Sequence, residues 1–429
     1  MIKKLKNHKD FSKIPKSSLG LLLLILITLS FSSVGQDTVT FNPSSNYSFI
    51  QTEANRIQNA PSLSSFYERL YQVKKTKNQS ANIVQIGDSH IQADFMSSRV
   101  RQLLQEEFGN AGRGLIFPGR VARTNEPQTI YTSSQAQWES KRIVFTEQPL
   151  PIGIGAMTIK TIQPNAKLSI RTNNLPALNY SFNKLTLFFQ KDSSSFNIAV
   201  KDSIGEDIAY IGSFSFEGYK NTSTVLLPFN ANKIDLQCLT PLPKQSQLIV
   251  YGLNLENQKS GVLFHSIGGN GAKFRHYLVA KYFIEQTAAL HPDLFIISLG
   301  TNEAIEYPFV DLAFTEQLNS FVSSLQKVNP EALFILTIPA DFSKKRTRRN
   351  PGVEITRQKI IDYAEKNKLA YWDMYEVGGG KHSADKWKKS GLMQSDGVHF
   401  TKEGYELQGN LLYDALIRSY NEYVLYRHP

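Results

Sequence analysis

The most informative stretch of this chain is Ile83-Val84-Gln85-Ile86-Gly87-Asp88-Ser89-His90. Its apolar first half is typical of a buried strand, and the apolar spacing from Phe95 to Leu104 is typical of a helix. Ser89 therefore lies at a turn from a strand to a helix, where its hydroxyl points outward. The free N–H groups at the start of a helix can bind an oxyanion beside that hydroxyl. The stretch predicts an α/β fold with a reactive serine at the edge of its sheet.

A second stretch, Asp396-Gly397-Val398-His399, lies near the other end of the chain. A carboxylate three residues before a histidine can orient the imidazole as a general base. Such a base removes the proton of a serine hydroxyl and makes it a nucleophile toward an ester carbonyl. The two stretches together predict a serine esterase with Ser89, His399 and Asp396 as its catalytic residues.

The sequence after Gly261 alternates between strand and helix patterns. The predicted strands span 262–267, 294–299, 332–338 and 370–374, and the predicted helices span 272–290, 309–328, 353–367 and 401–420. Alternation of this kind implies a parallel, doubly wound sheet with helices on both faces. A further helix is predicted over 62–75, before the first strand.

The middle of the chain has a different pattern, without long helical periods. Short strand-like stretches separated by turn signals span 168–170, 184–189, 196–200, 207–211 and 247–251. They predict an all-β sandwich or jelly roll, inserted between the first and second strand units of one α/β domain. The predicted division is a signal peptide (1–35), a lead-in of helix and loop (36–80), two parts of the α/β domain (81–120 and 261–429) and the inserted β domain (121–260).

Three loops follow consecutive strands of the predicted parallel sheet. They contain Ser89, the run Gly268-Gly269-Asn270-Gly271 and the run Gly300-Thr301-Asn302-Glu303. Because ligands bind beyond the carboxyl ends of such strands, all three loops are expected to line one crevice. The N–H of Ser89, the N–H of a glycine in the second loop and the side-chain amide of Asn302 can stabilise an oxyanion. Gly268, Gly269 and Gly271 all remain candidates for that glycine.

These blocks resemble the SGNH (GDSL) hydrolase superfamily: Gly-Asp-Ser, a glycine block, Gly-Thr-Asn and a terminal Asp-x-x-His, in that order. The resemblance covers about 83–118 and 262–420. It implies a flavodoxin-like three-layer α/β/α fold and no cofactor or metal. It also implies that Ser89 is the nucleophile, that Asp396 and His399 complete the triad, and that Gly271 and Asn302 join Ser89 in the oxyanion hole. His90, the Gly-Gly-Asn-Gly-Ala block and the inserted β domain make the chain similar to periplasmic peptidoglycan O-acetylesterases.

The N-terminus predicts export. Six lysines precede an apolar run from Leu19 to Leu29, and Ser33-Val34-Gly35 is a cleavage candidate. The alternative is a membrane anchor, for which about 20 apolar residues are needed. Cys238 is the only cysteine, so no intrachain disulfide forms, which suits a bacterial periplasm. The net charge of +11 falls to +6 without residues 1–35, and no zinc-finger or RNA-binding spacing is present, which argues against nucleic acid.

The sequence therefore predicts an exported, periplasmic esterase that removes O-acetyl groups from a glycan polymer, with peptidoglycan favoured and no stable membrane anchor after signal cleavage. The alternatives are an esterase for other acylated glycans or small esters, an O-acetyltransferase, and a non-catalytic glycan-binding envelope protein. The sequence leaves the oligomeric state open. It also leaves each of the following features with both a structural and a substrate-binding interpretation: His90, Gln92, Trp138, Trp372, Trp387 and the basic run 344–349.

Overall fold

The structure, a computed structural model, describes residues 37–427 except 41–45, 146, 148, 215–217, 240–241, 309, 311 and 345–347. The predicted signal peptide therefore lies outside the described residues. Among the residues described, no helix is both long enough and apolar enough to cross a bilayer.

The helices and strands are numbered here in chain order. The helices are α1 (Ser64–Thr76), α2 (Ser89–Gln92), α3 (Phe95–Phe108), α4 (Phe274–Val279), α5 (Phe283–Thr287), α6 (Thr301–Ile305), α7 (Phe314–Val328), α8 (Gly352–Asn367), α9 (Met374–Val377), α10 (Ser383–Lys389) and α11 (Lys402–Arg427). The strands are β1 (Ile57–Gln58), β2 (Ser80–Gly87), β3 (Gly112–Ile116), β4 (Ile130–Ser133), β5 (Glu139–Arg142), β6 (Met157–Thr161), β7 (Lys167–Thr172), β8 (Phe182–Phe189), β9 (Ile198–Lys201), β10 (Asp207–Ile211), β11 (Thr222–Ala231), β12 (Lys233–Cys238), β13 (Leu248–Glu256), β14 (Gly261–Gly268), β15 (Leu294–Ser298), β16 (Leu333–Ile338), β17 (Ser343–Lys344), β18 (Arg348–Arg349) and β19 (Ala370–Asp373).

One six-stranded sheet forms the centre of the α/β part, in the order β1-β19-β16-β15-β2-β14. All neighbours in it are parallel except β1, which pairs antiparallel with β19. The inner strands are apolar runs without alternation, as in Leu294–Ser298, because both faces of the sheet are covered. One face carries α1, α3 and α11, and the other carries α4, α7 and α8. The predicted three-layer α/β/α architecture is confirmed.

The helix predicted over 272–290 is interrupted. It consists of α4, a break at Ala280–Tyr282, α5 and a short 3₁₀ turn, Ala288–Leu290. At the break, Ala280 adopts an extended conformation, and Tyr282 N–H donates to the carbonyl oxygen of Ile152, which lies in the middle part of the chain. A tertiary contact therefore overrides a helical pattern that the sequence carries across the break. The last helix is longer than predicted and continues to Arg427.

The middle of the chain forms two antiparallel sheets. The five-stranded one has the order β10-β9-β12-β7-β4, and the six-stranded one has the order β11-β8-β13-β6-β5, with β3 also paired to β13. Their inner faces meet in one apolar core, to which β7 contributes Leu168 and Ile170 and β8 contributes Leu185 and Leu187. The chain leaves the parallel sheet after β2 and re-enters it at the neighbouring strand β14, as an insertion requires. The strand Gly112–Ile116 already belongs to the sandwich, upstream of the predicted boundary at 120.

Candidate active site

The turn after β2 is shaped by its glycine and aspartate. A Cβ atom on Gly87 would lie 2.3 Å from the Ile91 side chain, so no larger residue fits between β2 and α2. Asp88 caps α2, since its side chain accepts the N–H of His90 at 2.9 Å. Ser89 is therefore held at the first position of α2, where the backbone N–H groups have no acceptor within the helix.

The loop before α11 brings His399 to Ser89 across 310 residues of sequence. Ser89 Oγ lies 2.9 Å from His399 Nε2, and His399 Nδ1 lies 2.7 Å from Asp396 Oδ2. The other Asp396 oxygen accepts the N–H groups of Val398 and His399, both at 2.9 Å. An imidazole held in this way can accept the proton of a hydroxyl and can be steadied by the carboxylate once it is charged.

Asp396 is oriented by the same contacts that affect its titration. Burial raises the pKa of its carboxyl, but the hydrogen bonds from the His399 ring and from two backbone N–H groups outweigh burial and lower the pKa. Its side chain retains 43% of its accessible surface, and that of His399 retains 37%. The carboxylate and the imidazole are therefore open to solvent on one side, where a substrate can approach.

Asn302 lies in the first turn of α6 and lines the same cleft as Ser89. Its Nδ2 atom donates to the carbonyl oxygen of Ala272 at 3.0 Å and to Asp88 Oδ2 at 3.2 Å. These contacts fix the amide between the first and second loops. Donation to a third acceptor at this nitrogen requires that it share or exchange the longer contact, to Asp88.

The three candidate glycines have different surroundings. Gly269 N–H donates to the carbonyl oxygen of Gly87, and a Cβ on Gly268 would lie 2.2 Å from Gln92 N, so these two glycines pack the second loop against the first. Gly271 has a positive φ of 76° and lines the cleft with Ser89 and Asn302. Among the described residues no hydrogen bond from the Gly271 N–H is found.

The cleft above Ser89 has a volume of about 550 Å³ and is open to solvent. Ligand sites of small molecules commonly measure about 300–1,000 Å³. Phe95 and Tyr405 form an apolar wall, while Asn125 and Glu126 contribute a wall from the segment that leads into the sandwich. The cleft is thus large enough for a sugar residue and is lined by both apolar and hydrogen-bonding side chains.

Gln92 connects these parts and was left open by the sequence. Its Nε2 donates to Thr124 Oγ1 at 2.8 Å, and its Oε1 accepts the N–H of Asn270 at 3.0 Å. One side chain on α2 therefore fastens both the second loop and the segment that carries Asn125. Its position three residues after Ser89, on the same helix face, was the available signal, but its partners are 32 and 178 residues away.

The tryptophans and several other histidines are held by contacts within the protein or lie away from the cleft. Trp372 and Trp387 are buried in the core and donate to Asn55 Oδ1 and to the Gly378 carbonyl, which excludes stacking on a sugar. Trp138 is half-buried and donates to Ser134 Oγ. Burial lowers the pKa of His265 to about 3 and that of His276 to about 4, whereas His291 lies at the surface. Residues 345–347 of the basic run lie outside the described residues.

Within the described part of the chain no cluster of histidine, cysteine or acidic side chains has the arrangement of a metal site. The one cysteine, Cys238, is buried in the sandwich, and burial raises its pKa to about 12. A buried thiol with a raised pKa is inert as a nucleophile.

Comparison with known proteins shows similarities in sequence and in fold. Residues 240–407 match the GDSL-like lipase/acylhydrolase family. A solved structure of a peptidoglycan O-acetylesterase superposes with a TM-score of 0.69 at 20% sequence identity, covering 83% of this chain and 97% of that one. A GDSL-like lipase from Bacteroides thetaiotaomicron is 23% identical, covers 36% of this chain and 76% of its own, and has a TM-score of 0.30. No curated protein sequence matches the chain.

Residues 240–407 of the chain are therefore similar to the GDSL-like lipase/acylhydrolase family, and the α/β part has the fold of an SGNH hydrolase. The β-sandwich inserted between β2 and β14 is an addition to that α/β part.

Proposed function

We propose that this protein is a serine esterase that removes O-acetyl groups from a carbohydrate of the bacterial cell envelope, with peptidoglycan as the favoured substrate. The observation that carries the proposal is the chain of hydrogen bonds Ser89–His399–Asp396 on the floor of an open cleft. The peptidoglycan O-acetylesterase with the same fold supports the choice of substrate, although at 20% identity the likeness concerns the fold.

In the proposed mechanism Ser89 Oγ attacks the acetyl carbonyl while His399 Nε2 takes the hydroxyl proton. The negative charge that develops on the carbonyl oxygen is stabilised by the N–H groups of Ser89 and Gly271 and by Asn302 Nδ2. The tetrahedral intermediate then collapses: the bond to the sugar oxygen breaks, and His399 returns its proton to that oxygen. Water, deprotonated by His399, attacks the acetyl group on Ser89. The bond to Ser89 Oγ then breaks, acetate leaves, and His399 returns the proton to Ser89 Oγ.

Asn302 has a specific task in this scheme. In the structure both hydrogens of its Nδ2 are engaged, by Ala272 and by Asp88. We propose that the hydrogen directed to Asp88 Oδ2 turns to the oxyanion as charge develops there. Such a donor stabilises the transition state more than the bound ester, because the ester oxygen carries little charge.

Export of the enzyme to the periplasm forms part of the proposal and rests on the signal-like sequence of residues 1–35. The walls of the cleft support a carbohydrate substrate, since the partly exposed ring of Phe95 offers a face for a sugar ring and Asn125 offers an exposed amide. Acetylated groups on a polymer would reach Ser89 from the solvent side, where His399 and Asp396 are half-exposed.

The test is acetate release from three substrates: O-acetylated peptidoglycan, acetylated xylan and a chromogenic acetate. We expect the highest kcat/KM on peptidoglycan, and no release by the Ser89→Ala variant. Turnover of the chromogenic acetate with no preference among the polymers would agree with the proposed esterase activity but would contradict the proposed substrate. Transfer of the acetyl group to an added sugar in place of release to water would identify an acetyltransferase.

A further inference from the structure

A second histidine–aspartate pair lies beside the proposed triad. His90 Nδ1 lies 2.9 Å from Asp88 Oδ1, the oxygen that also accepts the His90 backbone N–H. The other ring nitrogen, Nε2, lies 3.1 Å from the carbonyl oxygen of Val398. Both ring nitrogens of His90 therefore face oxygen atoms that accept hydrogen bonds, one in a carboxyl group and one in the backbone.

An imidazole can donate from both nitrogens only in its charged form. Burial lowers the pKa of His90, but the charge of Asp88 and the two hydrogen bonds outweigh burial and raise the pKa. The other titratable groups around the ring come from the loop before α11 and from α11. The His399 ring stacks on it with centroids 5.3 Å apart, Asp396 adds a favourable charge, and the Tyr405 ring meets it edge-on at 6.0 Å.

We propose that His90 is a positioning residue whose imidazolium fastens the loop of His399 to the loop of Ser89. The connection runs from Asp88 through the His90 ring to the carbonyl of Val398, which directly precedes His399. The second oxygen of Asp88 faces Asn302 Nδ2 at 3.2 Å. One charged pair thus sets the position of both the base and an oxyanion donor relative to Ser89. The inference rests on the catalytic roles proposed above for Ser89 and His399.

The charge of His90 has a consequence for the dependence of the rate on pH. A neutral imidazole keeps one proton, so either the contact to Asp88 or the contact to Val398 must be lost. The lone pair of the deprotonated nitrogen then faces an oxygen lone pair, which pushes the two loops apart. We expect kcat to fall on the alkaline side as His90 loses its proton.

The experiment compares His90→Leu, which has similar bulk without hydrogen bonds or charge, with His90→Gln, which retains a donor without charge. A displacement of about 1 Å at a catalytic group costs up to about 100-fold in rate. We expect His90→Leu to lower kcat on a chromogenic acetate by about that factor with little change in KM, and to abolish the alkaline fall. His90→Gln should lose less of kcat and also lack the alkaline fall. His291→Gln, at the surface, is the matched control and should retain the wild-type profile.

A second measurement does not depend on turnover. In NMR spectra of the wild-type protein with ¹⁵N-labelled histidine, His90 should show two protonated ring nitrogens at pH 7. A neutral His90 at pH 7 would overturn the inference, as would a wild-type kcat with an unchanged alkaline fall in His90→Leu. If the wild-type protein were inactive but its His90 were charged, the proposed function would be overturned. The proposed connection from Asp88 through His90 to Val398 would still hold.

Discussion

Ser89 Oγ and His399 Nε2 are 2.9 Å apart although the two residues are separated by 310 positions in the sequence. The proposed roles make a prediction for each of them. Ser89→Ala and His399→Ala should each lower kcat/KM on a chromogenic acetate by about 10⁴-fold, because nucleophile and base act as one unit. The double variant should be hardly worse than either single variant. Unfolding curves of all three check that the fold is intact, and multiplicative losses would contradict the assignment.

Asn302 is predicted to act on the rate and not on substrate affinity. Asn302→Ala should lower kcat about 100-fold with KM nearly unchanged, since its amide is proposed to meet the oxygen only when that oxygen carries charge. Steady-state kinetics over a range of ester concentrations separate the two constants. A raised KM with an unchanged kcat would make Asn302 a substrate-binding residue. If the control variant Thr301→Ser lost as much of kcat as Asn302→Ala, the effect would come from a disturbed first turn of α6 and not from the amide.

At the scale of residues, the sequence predicted which side chains meet at Ser89 but not what surrounds them. The strand-to-helix turn and the Asp-x-x-His spacing are short local patterns that can be recognised without knowing the fold. The residues predicted from them lie within hydrogen-bond distance of one another in the structure. The contacts of Asn302 to Asp88 and Ala272, and of Gln92 to Thr124, join distant loops. No periodicity encodes such contacts, because they depend on how whole elements pack.

At the scale of elements, α6 contains a buried acid next to Asn302. Glu303 is 1% exposed, and its Oε1 accepts the N–H of Phe274, which begins α4. Burial raises the pKa of its carboxyl to about 7, and the charge of Asp88 adds to the rise. Glu303 was recognised in the third loop from the sequence, but its burial was not predictable, since that burial arises from the packing of α4 against the loop after β15.

Glu303 is predicted to make stability depend on pH. The pKa of Glu303 is higher in the folded chain than in the unfolded one. Its favourable contribution to the free energy of unfolding is therefore complete below about pH 4.5 and is lost as pH rises through about 7. Glu303→Gln retains an acceptor for Phe274 N–H and cannot ionise. Urea unfolding should therefore show that this variant gains stability over wild type at pH 8, on the order of 3 kcal/mol at most, and little at pH 4.5.

The matched control for that measurement is Glu316→Gln, an exposed acid on α7. It should follow the wild-type dependence on pH. If the free energy of unfolding changed equally between pH 4.5 and pH 8 in wild type and in Glu303→Gln, the prediction would be contradicted.

At the scale of the whole molecule, the alternation of strands and helices predicted the doubly wound sheet and the inserted sandwich, because each element carries its own pattern. The way the sandwich meets the α/β part was not predictable. The segment with Asn125 and Glu126 forms one wall of the cleft, and Gln92 holds it through Thr124. Removal of residues 121–260 would therefore disturb the cleft itself, so the role of the sandwich is better tested on its outer surface.

The outer face of the five-stranded sheet carries a row of basic and aromatic side chains. Tyr131, Arg171 and Lys233 lie opposite one another on β4, β7 and β12, and Arg120 stacks on the Tyr131 ring at 4.6 Å from its centroid. Arg171 approaches the same ring at 5.0 Å. None of the three cations has a carboxylate within 4 Å among the described residues. Glu126, which borders the cleft, accepts hydrogen bonds from Arg120 N and Thr132 N and so links the row to the active site.

This row is predicted to bind the carboxylates of a cell-wall polymer. The double variant Arg171→Gln, Lys233→Gln should bind insoluble O-acetylated peptidoglycan about 2- to 30-fold more weakly, since each exposed ion pair contributes about 0.2–1 kcal/mol. The loss should shrink as salt rises, and kcat on a chromogenic acetate should stay unchanged, because neither residue lines the cleft. The control variant Lys327→Gln, Lys366→Gln removes the same charge from the last turns of α7 and α8, outside the row. Binding is measured by sedimentation with the polymer before and after amidation of its carboxyl groups. An equal loss of binding in the control variant would attribute the effect to the net charge of the protein. Undiminished binding of the amidated polymer would contradict the prediction.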